Sequence, residues 1–511
     1  MSEGTPPSGV DPALRLVARS GLVNLSGAVA GAVGAVGLVL VIARQLNQSQ
    51  AGVFFALTSA FLVLTALSSL GTEAGLGRFL LRFEVLGRRE DIGAALRVTF
   101  IPVFITTAAA AIVVFLLAVP LARAMGLPVT EAASALRVLA VAAPVASLGN
   151  LTFASTRAFG LMSPTVLFDK VLRSSSQPVL VWVATTRTHR LDILAGVWAA
   201  PYLLSLVAGL VTLSASLRER GLRLQWRGSA RASRVRREFW AFTWARGITQ
   251  VAQLVIQRAD IILIAALRGP SEAAIYTAAT RFVPLGQMIT LSFQQVLQPR
   301  FTVIIANDDR RGLRELFHTG TTWNLVVAWP LYAVVGSAPG LYLSIFGAAY
   351  GSHGVAVVVI MAIAMMLTVA SGPLDTVILM LGRSTTSLGN ALVGVGLDIG
   401  LCFMLIPQYG NTGAAFAWLV SRVAIAGLGV YQVRRLTGAT PLTLRSLQVA
   451  LMTLILVVFP VTLGSFAGLG TLPLMGVCAG AAAAYLGACY LLRLPLQLHL
   501  AGPAPRQRVE S

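Results

Sequence analysis

Charged side chains are scarce in this sequence. Only 11% of the 511 residues are Asp, Glu, Lys or Arg, whereas soluble domains carry about 25%. A soluble chain of this length would need several domains, each with a charged surface that this composition does not supply. Disorder is excluded as well, because 56% of the residues are hydrophobic. The composition therefore predicts a polytopic membrane protein.

Cysteine, histidine and lysine are also rare. The three cysteines (Cys402, Cys478 and Cys489) lie inside apolar runs and the four histidines are scattered, so we expect no disulfide framework and no metal site. The sequence has no Walker loop, HExxH motif or plausible Ser/His/Asp set, so we expect neither an enzyme nor a bound cofactor. The net charge is +20, and only Lys170 among the 39 basic residues is a lysine. Nucleic-acid binding is not needed to explain this charge, because the cytoplasmic loops of membrane proteins collect basic residues.

Apolar runs of spanning length recur along the whole chain. Because they show no alternating β pattern, they predict about fourteen transmembrane helices and an all-α fold. The pair Gly372-Pro373 interrupts one run, and we interpret it as a break within one helix. The runs lie near residues 20–42, 52–72, 98–120, 136–157, 165–186, 192–216, 239–266, 275–298, 321–345, 355–381, 386–406, 412–433, 447–467 and 472–491.

The distribution of basic residues favours one orientation. If the N-terminus lies in the cytoplasm, 29 of the 39 basic residues fall on the cytoplasmic side, six on the opposite side and four within helices. Such a bias is typical of short cytoplasmic loops. The sequence therefore predicts a multi-pass protein of the cytoplasmic membrane with both termini in the cytoplasm.

The two halves of the chain resemble each other. Residues 43–90, shifted by 222 positions onto residues 265–312 without gaps, align nine identical residues. We interpret this as a parallel repeat of two six-helix lobes, an arrangement that places substrate sites near the midplane between the halves. The predicted divisions are 1–217 (N-lobe), 218–238 (basic cytoplasmic loop), 239–436 (C-lobe) and 437–511 (two extra helices and the C-terminal tail).

Predicted helix seven carries a polar stripe. Arg246, Gln250, Gln253, Gln257 and Asp260 are spaced 4, 3, 4 and 3 residues apart, which places them within about 40° of one line along the helix. Ionisable groups that face acyl chains cost several kcal/mol, so this face is expected to meet water, substrate or other helices. Lining of a substrate cavity is one interpretation, and a packed interhelical seam is the alternative.

Further polar residues fall within the predicted helices. Each aspartate among them is a candidate for binding a coupling ion, and pairing with a nearby arginine is the alternative. The further cavity candidates are Asn24 in helix one, Arg281, Gln287 and Gln294 in helix eight, and Arg422 in helix twelve, and the candidates for ion coupling are Asp260, Asp375 and Asp398.

Short motifs follow one another in a specific order over residues 15–436. They are Ala43-Arg44-Gln45-Leu46, Ala51-Gly52-Val53-Phe54-Phe55, Asp260-Ile261-Ile262-Leu263, Ala274-Ile275-Tyr276, Pro299-Arg300, Phe346-Gly347-Ala348-Ala349-Tyr350, Leu381-Gly382-Arg383, and the ten residues from Ile406-Pro407-Gln408 to Gly413-Ala414-Ala415. In order and spacing they resemble Wzx-type polysaccharide flippases of the multidrug/oligosaccharidyl-lipid/polysaccharide exporter superfamily.

The resemblance implies two six-helix lobes around a cavity that opens alternately to either side of the membrane. It implies a polyprenyl-pyrophosphate-linked oligosaccharide as cargo, moved from the inner to the outer leaflet. Arginine suits pyrophosphate oxygens and glutamine suits sugar hydroxyls, in agreement with the polar stripe. Coupling to H+ or Na+ stays open, and a polysaccharide polymerase or export complex is an expected partner. The alternatives are an ion-coupled multidrug antiporter of the same superfamily and a non-transporting membrane scaffold.

Overall fold

The computed structural model describes residues 12–69, 71–222, 230–441 and 443–492, and these are almost entirely helical, with no strand among them. This confirms the predicted fold class, which follows from the need to satisfy every backbone polar group inside a bilayer. Each of the fourteen predicted runs overlaps a helix. Within the described ranges, nine helical segments are long and apolar enough to cross a membrane.

The helices differ widely in length. Two π-helical segments, Thr165–Arg173 and Leu454–Val458, lead directly into α7 and α18. The α-helices are α1 (Pro12–Gln45), α2 (Gln48–Ser69), α3 (Thr72–Val85), α4 (Arg89–Leu116), α5 (Ala118–Ala124), α6 (Val129–Ala158), α7 (Ser174–Thr185), α8 (Leu191–Glu219), α9 (Ala230–Arg268), α10 (Pro270–Ala279), α11 (Phe282–Ala306), α12 (Arg310–Ser337), α13 (Pro339–Ser344), α14 (Ala348–Ala370), α15 (Leu374–Met380), α16 (Ser384–Thr437), α17 (Leu444–Thr453), α18 (Phe459–Phe466) and α19 (Thr471–Leu491).

The chain divides into two compact units. Unit 1 comprises the chain up to Arg258 together with Gly269–Ser271, and unit 2 comprises Ala259–Arg268 and the chain from Glu272 onwards. The division falls within α9, so this one helix contributes residues to both units. The lobe boundaries at 217 and 239, drawn from the sequence, stay a prediction.

The start of α9 is held in unit 1 by an aromatic cluster. Phe79 on α3 packs against Phe239 and Phe242, with ring centroids 5.5 Å and 6.1 Å apart, and the Arg78 guanidinium lies 4.3 Å from the Phe242 centroid. Gly75 permits the close approach of the two helices, because a side chain there would collide with Phe239. Burial of each phenylalanine contributes about 1.5–3 kcal/mol.

The longest helix, α16, is a hairpin with two arms. As a straight rod its 54 residues would extend about 80 Å, far more than a bilayer core of about 30 Å. Gly410 breaks it with φ +54° and ψ −132°. The arms run antiparallel, because Ser421 Oγ donates to the Gly394 carbonyl at 2.8 Å and the Asn390 and Gln432 side chains exchange hydrogen bonds at 2.8 and 2.9 Å. The two predicted helices near 386–406 and 412–433 are these two arms.

Breaks in other helices also occur at glycines. Gly372 has φ +81°, α14 ends at Ala370 and α15 begins at Leu374, so the break predicted at Gly372-Pro373 is confirmed. A second break, between α2 and α3, was not expected from the sequence. Gly71 adopts φ +72° there, a backbone conformation that costs other residues about 1–2 kcal/mol.

The C-terminal helices α17, α18 and α19 belong to unit 2 and pack on α12. Val457, Met452 and Cys489 form an apolar cluster with Ala333 of α12. Tyr485 donates a 3.1 Å hydrogen bond to the Val326 carbonyl, which fixes α19 against the same helix. These three helices therefore pack against α12, and they contribute no residue to the polar site described next.

Candidate functional site

Asp260 lies buried in unit 2, near the C-terminal end of α9. Its side chain is 3% exposed. The Tyr276 hydroxyl on α10 donates to Asp260 Oδ2 at 2.7 Å, and the Cys402 thiol on the first arm of α16 donates to Asp260 Oδ1 at 3.6 Å. A thiol is a weak donor, so the tyrosine supplies most of the stabilisation of this carboxylate. Three elements of unit 2 thus converge on one acidic side chain.

Asp398 places a second carboxyl group beside the first. It lies one turn before Cys402 on the first arm of α16 and is fully buried. One ligand atom from each of Asp260, Asp398 and Cys402 lies within 4.8 Å of the other two. Neither Asp398 oxygen has a hydrogen-bond partner of good geometry within the described ranges. Two acidic groups in contact at an apolar site cannot both stay ionised without a compensating charge.

Arg422 supplies the positive charge of this cluster. It projects from the second arm of α16, and its guanidinium lies 4.7 Å from the centroid of the Trp418 ring. Both Asp260 and Asp398 interact with it electrostatically. Its Nε atom is buried and has no hydrogen-bond partner in the part of the chain that the structure describes. We call these residues, Asp260, Asp398, Cys402, Tyr276 and Arg422, the carboxylate cluster.

The charges of the carboxylate cluster do not balance. Two carboxylates and one guanidinium leave one formal negative charge inside apolar helices. A buried charge without compensation is strongly unfavourable, so both carboxyl groups are not expected to be ionised beside a single guanidinium. Carboxylate oxygens are good ligands for hard cations, whereas the thiol and the guanidinium are not.

The structure divides the polar stripe of α9. Gln250, Gln253 and Gln257 are exposed, whereas Asp260 is buried. Arg246 lies on the same helix, but its side chain is outside the described residues. The stripe is therefore not one uniform surface, and its role as a cavity lining stays a prediction.

The other cavity candidates lie on α11 or directly before it. Arg281 precedes α11 and donates from Nε to the Thr277 carbonyl at 3.0 Å. Gln287 and Gln294 are half-buried on α11, and Thr290 between them donates to Asn324 of α12 at 3.1 Å. This hydrogen bond links α11 to α12, and the role of the two glutamines as cavity lining stays a prediction.

Asp375 and Asn24 are the remaining residues that the sequence suggested for ion coupling or for the cavity. Asp375 is exposed in the first turn of α15 and accepts a hydrogen bond from Ser387 Oγ at 2.5 Å, so it is not part of the carboxylate cluster. The Asn24 side chain lies outside the described residues, although α1 includes its backbone.

Sequence reasoning missed Tyr276, Cys402 and Trp418. Helical spacing held a usable signal for two of them, because Cys402 follows Asp398 and Arg422 follows Trp418 by four residues, which places each pair on one helical face. Tyr276 had no such signal, since its partner Asp260 lies on another helix. The grouping of Asp260, Asp398 and Arg422 depends on the packing of α9 against the α16 hairpin.

Comparison with known proteins agrees with this fold. The family of polysaccharide biosynthesis proteins matches residues 41–353, more than half of the chain. No curated protein sequence matches the chain.

Solved structures of transporters share the architecture at low sequence identity. The lipid II flippase MurJ, in an inward closed conformation, aligns with a TM-score of 0.72 and 11% identity over 93% of this chain and 99% of its own. An inward-facing multidrug resistance MATE transporter of the MOP superfamily aligns with a TM-score of 0.66 and 15% identity, over 82% of this chain and 98% of its own. A MOP-superfamily transporter from Pyrococcus furiosus, described as having a binding pocket of reversed polarity, aligns with a TM-score of 0.59 and 16% identity. The alignment covers 84% of this chain and 97% of that transporter. The chain belongs to the family of polysaccharide biosynthesis proteins, and it has the fold of MOP-superfamily transporters.

Proposed function

We propose that this protein is a flippase that moves a polyprenyl-diphosphate-linked oligosaccharide from the inner to the outer leaflet of the cytoplasmic membrane. The polysaccharide biosynthesis family supports the class of cargo. The fold is shared with a protein named as a lipid II flippase and with MATE transporters solved in inward-facing and outward-facing conformations. Movement by alternating access follows from that likeness, and the protein works as a transporter and not as an enzyme.

The observation that carries this proposal is the carboxylate cluster. Ionisable residues inside membrane helices are costly and usually mark ion or substrate pathways. Here the cluster joins α9 and α10 to both arms of the α16 hairpin through Asp260, Tyr276, Asp398 and Arg422. A purely structural ion pair would be expected to match each carboxyl group with a basic group, whereas this cluster has two carboxyl groups and one guanidinium. We therefore assign it to cation coupling.

Cation uptake would change the packing of unit 2. With one proton or cation bound, the cluster is neutral and the arms of α16 can stay closed around it. After release, Asp260 and Asp398 repel each other and compete for Arg422, which favours a different arrangement of the helices. A cation that binds one conformation better than the other shifts their equilibrium by that difference in affinity. We propose H+ or Na+ as the coupling cation.

Loss of the gene in its host tests the cargo. We expect lipid-linked saccharide to accumulate in the inner leaflet and surface polysaccharide to fall. A plasmid copy should restore both, and a copy with Asp398→Asn should not, whereas the exposed Asp375→Asn serves as the matched control and should restore them. Normal surface polysaccharide with increased drug sensitivity would overturn the proposal in favour of an antiporter. Normal polysaccharide and normal drug sensitivity would indicate a scaffold.

A further inference from the structure

We propose that unit 1 contains a binding site for the diphosphate group of the cargo, formed by Lys170, Arg173 and Arg258 around Tyr202. This inference rests on the proposed function, because it names where the head group of the lipid-linked saccharide binds. None of these four residues belongs to the polar stripe or to the carboxylate cluster.

Ionisable side chains in unit 1 form a connected network. Arg157 on α6 pairs with Glu73 on α3 at 3.3 Å, and Arg173 Nε donates to Asp169 Oδ1 at 2.8 Å. Lys170, the sole lysine of the chain, interacts electrostatically with both Arg157 and Asp169. The two pairs and the lysine thus form one continuous group.

Arg173 and Arg258 both interact with Tyr202. The Arg173 guanidinium lies 4.7 Å from the centroid of the Tyr202 ring, and Arg258 interacts electrostatically with the same tyrosine. Arg258 Nε is buried, and no described residue makes a hydrogen bond with it. A buried donor without a partner is destabilising by about 1–3 kcal/mol, and more for a charged group. Such a donor indicates a ligand that supplies the missing acceptor.

The formal charges of this network point to a polyanion. With Arg258 it contains four basic residues and two acidic ones, Glu73 and Asp169. The surplus is two positive charges, and a diphosphate diester carries one negative charge on each phosphate. Arginine presents a planar fork of donors that matches phosphate oxygens, and lysine adds a compact point charge. Basic groups thus outnumber acidic groups in this network of unit 1, whereas acidic groups outnumber basic groups in the carboxylate cluster of unit 2.

The surrounding structure holds the site rigid. Tyr202 stacks edge to face with Trp198 and Phe61 at centroid distances of 5.7 Å and 5.5 Å, which fixes the ring over which the Arg173 guanidinium lies. Asp169, Lys170 and Arg173 lie in the π-helical segment Thr165–Arg173. Single π-helical turns inside α-helices are frequent at functional sites.

Binding of defined lipids to the full-length protein in nanodiscs tests the site. The probes are polyprenyl diphosphate, polyprenyl monophosphate and phosphatidylglycerol, with inorganic pyrophosphate as competitor. We expect the wild-type protein to prefer polyprenyl diphosphate, and we expect pyrophosphate to displace it. Arg258→Gln should weaken this binding at least tenfold, and Arg258→Lys should weaken it less. Because Arg258 Nε has no hydrogen bond to lose, these variants are expected to fold.

A matched control separates binding from structure. Arg190→Gln removes an exposed arginine that pairs with Asp192 at 2.8 Å elsewhere in unit 1, and it should bind as the wild type does. Wild-type affinity in Arg258→Gln, equal affinity for the monophosphate, or no displacement by pyrophosphate would each overturn the diphosphate site while the flippase proposal stands. A wild-type protein that prefers no polyprenyl lipid over phosphatidylglycerol and does not move lipid-linked saccharide would overturn the proposed function itself.

Discussion

The Tyr276 hydroxyl donates a 2.7 Å hydrogen bond to Asp260 Oδ2 inside unit 2. This bond and the Cys402 thiol engage both oxygens of Asp260, whereas the oxygens of Asp398 have no such partner within the described ranges. The two carboxylates are therefore not equivalent. Asp260 is held in place, and Asp398 is the group with free acceptor capacity for a proton or a cation.

Asp398→Asn should abolish the response of transport to a cation gradient. The amide keeps the size of the side chain but leaves Asp260 and Arg422 as a neutral pair, which has no need of a cation. We expect at least a tenfold lower rate of saccharide flipping under an imposed gradient, at equal protein abundance. Asp375→Asn is the control, because Asp375 is exposed and bonds only to Ser387 in the described structure. Equal rates in the two variants would contradict the coupling role.

Removal of Arg422 should destabilise the protein. Arg422→Gln leaves Asp260 and Asp398 together without a countercharge, and a buried charge left uncompensated in this way costs about 3–5 kcal/mol. Adding Asp398→Asn should recover part of the loss, because it removes one of the two repelling charges. Thermal unfolding of both single variants and the double variant in detergent measures the coupling energy, expected at about 0.5–3 kcal/mol. Strictly additive effects would show that the two residues do not interact.

The sequence predicted the helices well, for a physical reason. Spanning runs must be apolar and helical in lipid, so every predicted run overlaps a helix. The 222-residue shift that aligns the two halves of the sequence was informative too. In the structure, α2 begins at Gln48 and α10 begins at Pro270, which are 222 residues apart. The π-helical segment Thr165–Arg173 was beyond prediction, because a helical count of 100° per residue loses phase across it.

The residues of the carboxylate cluster were predicted singly but not together. Asp260, Asp398 and Arg422 each stand out as charges within apolar runs. Their juxtaposition depends on the α16 hairpin, and Cys402 and Asp260 are separated by 142 residues. Periodicity reports which face of one helix a residue occupies, and it does not report which helix covers that face.

Gly410 should be essential for the hairpin. Its backbone conformation favours glycine, and a Cβ there would collide with the Glu272 carboxylate. Gly410→Ala is therefore expected to lower the unfolding free energy by about 1–3 kcal/mol. Gly427→Ala, on the same helix with open space around it, should be neutral or stabilising by about 0.5–1 kcal/mol. Thermal unfolding of both variants in detergent decides this, and equal midpoints would contradict the role of Gly410.

Cysteine labelling tests the predicted orientation. A cysteine introduced as Gly228→Cys, between α8 and α9 in the segment predicted to be cytoplasmic, should react with a membrane-impermeant maleimide only after the cytoplasmic side is opened. His189→Cys, between α7 and α8, should react in intact cells. The three native cysteines should be replaced first, with Cys402→Ser chosen to keep a donor to Asp260. Labelling of position 228 in intact cells would reverse the topology.

Flipping in proteoliposomes tests the account most directly. Purified protein is reconstituted with a fluorescent polyprenyl-diphosphate-linked oligosaccharide, and the rate at which the label changes leaflet is measured with and without an imposed H+ or Na+ gradient. We predict that the wild-type protein flips the lipid faster than protein-free vesicles, that one of the two gradients increases its rate, and that Asp398→Asn loses the increase while Asp375→Asn keeps it. A wild-type protein no faster than empty vesicles, or an Asp398→Asn variant that responds to the gradient as the wild type does, would contradict the account.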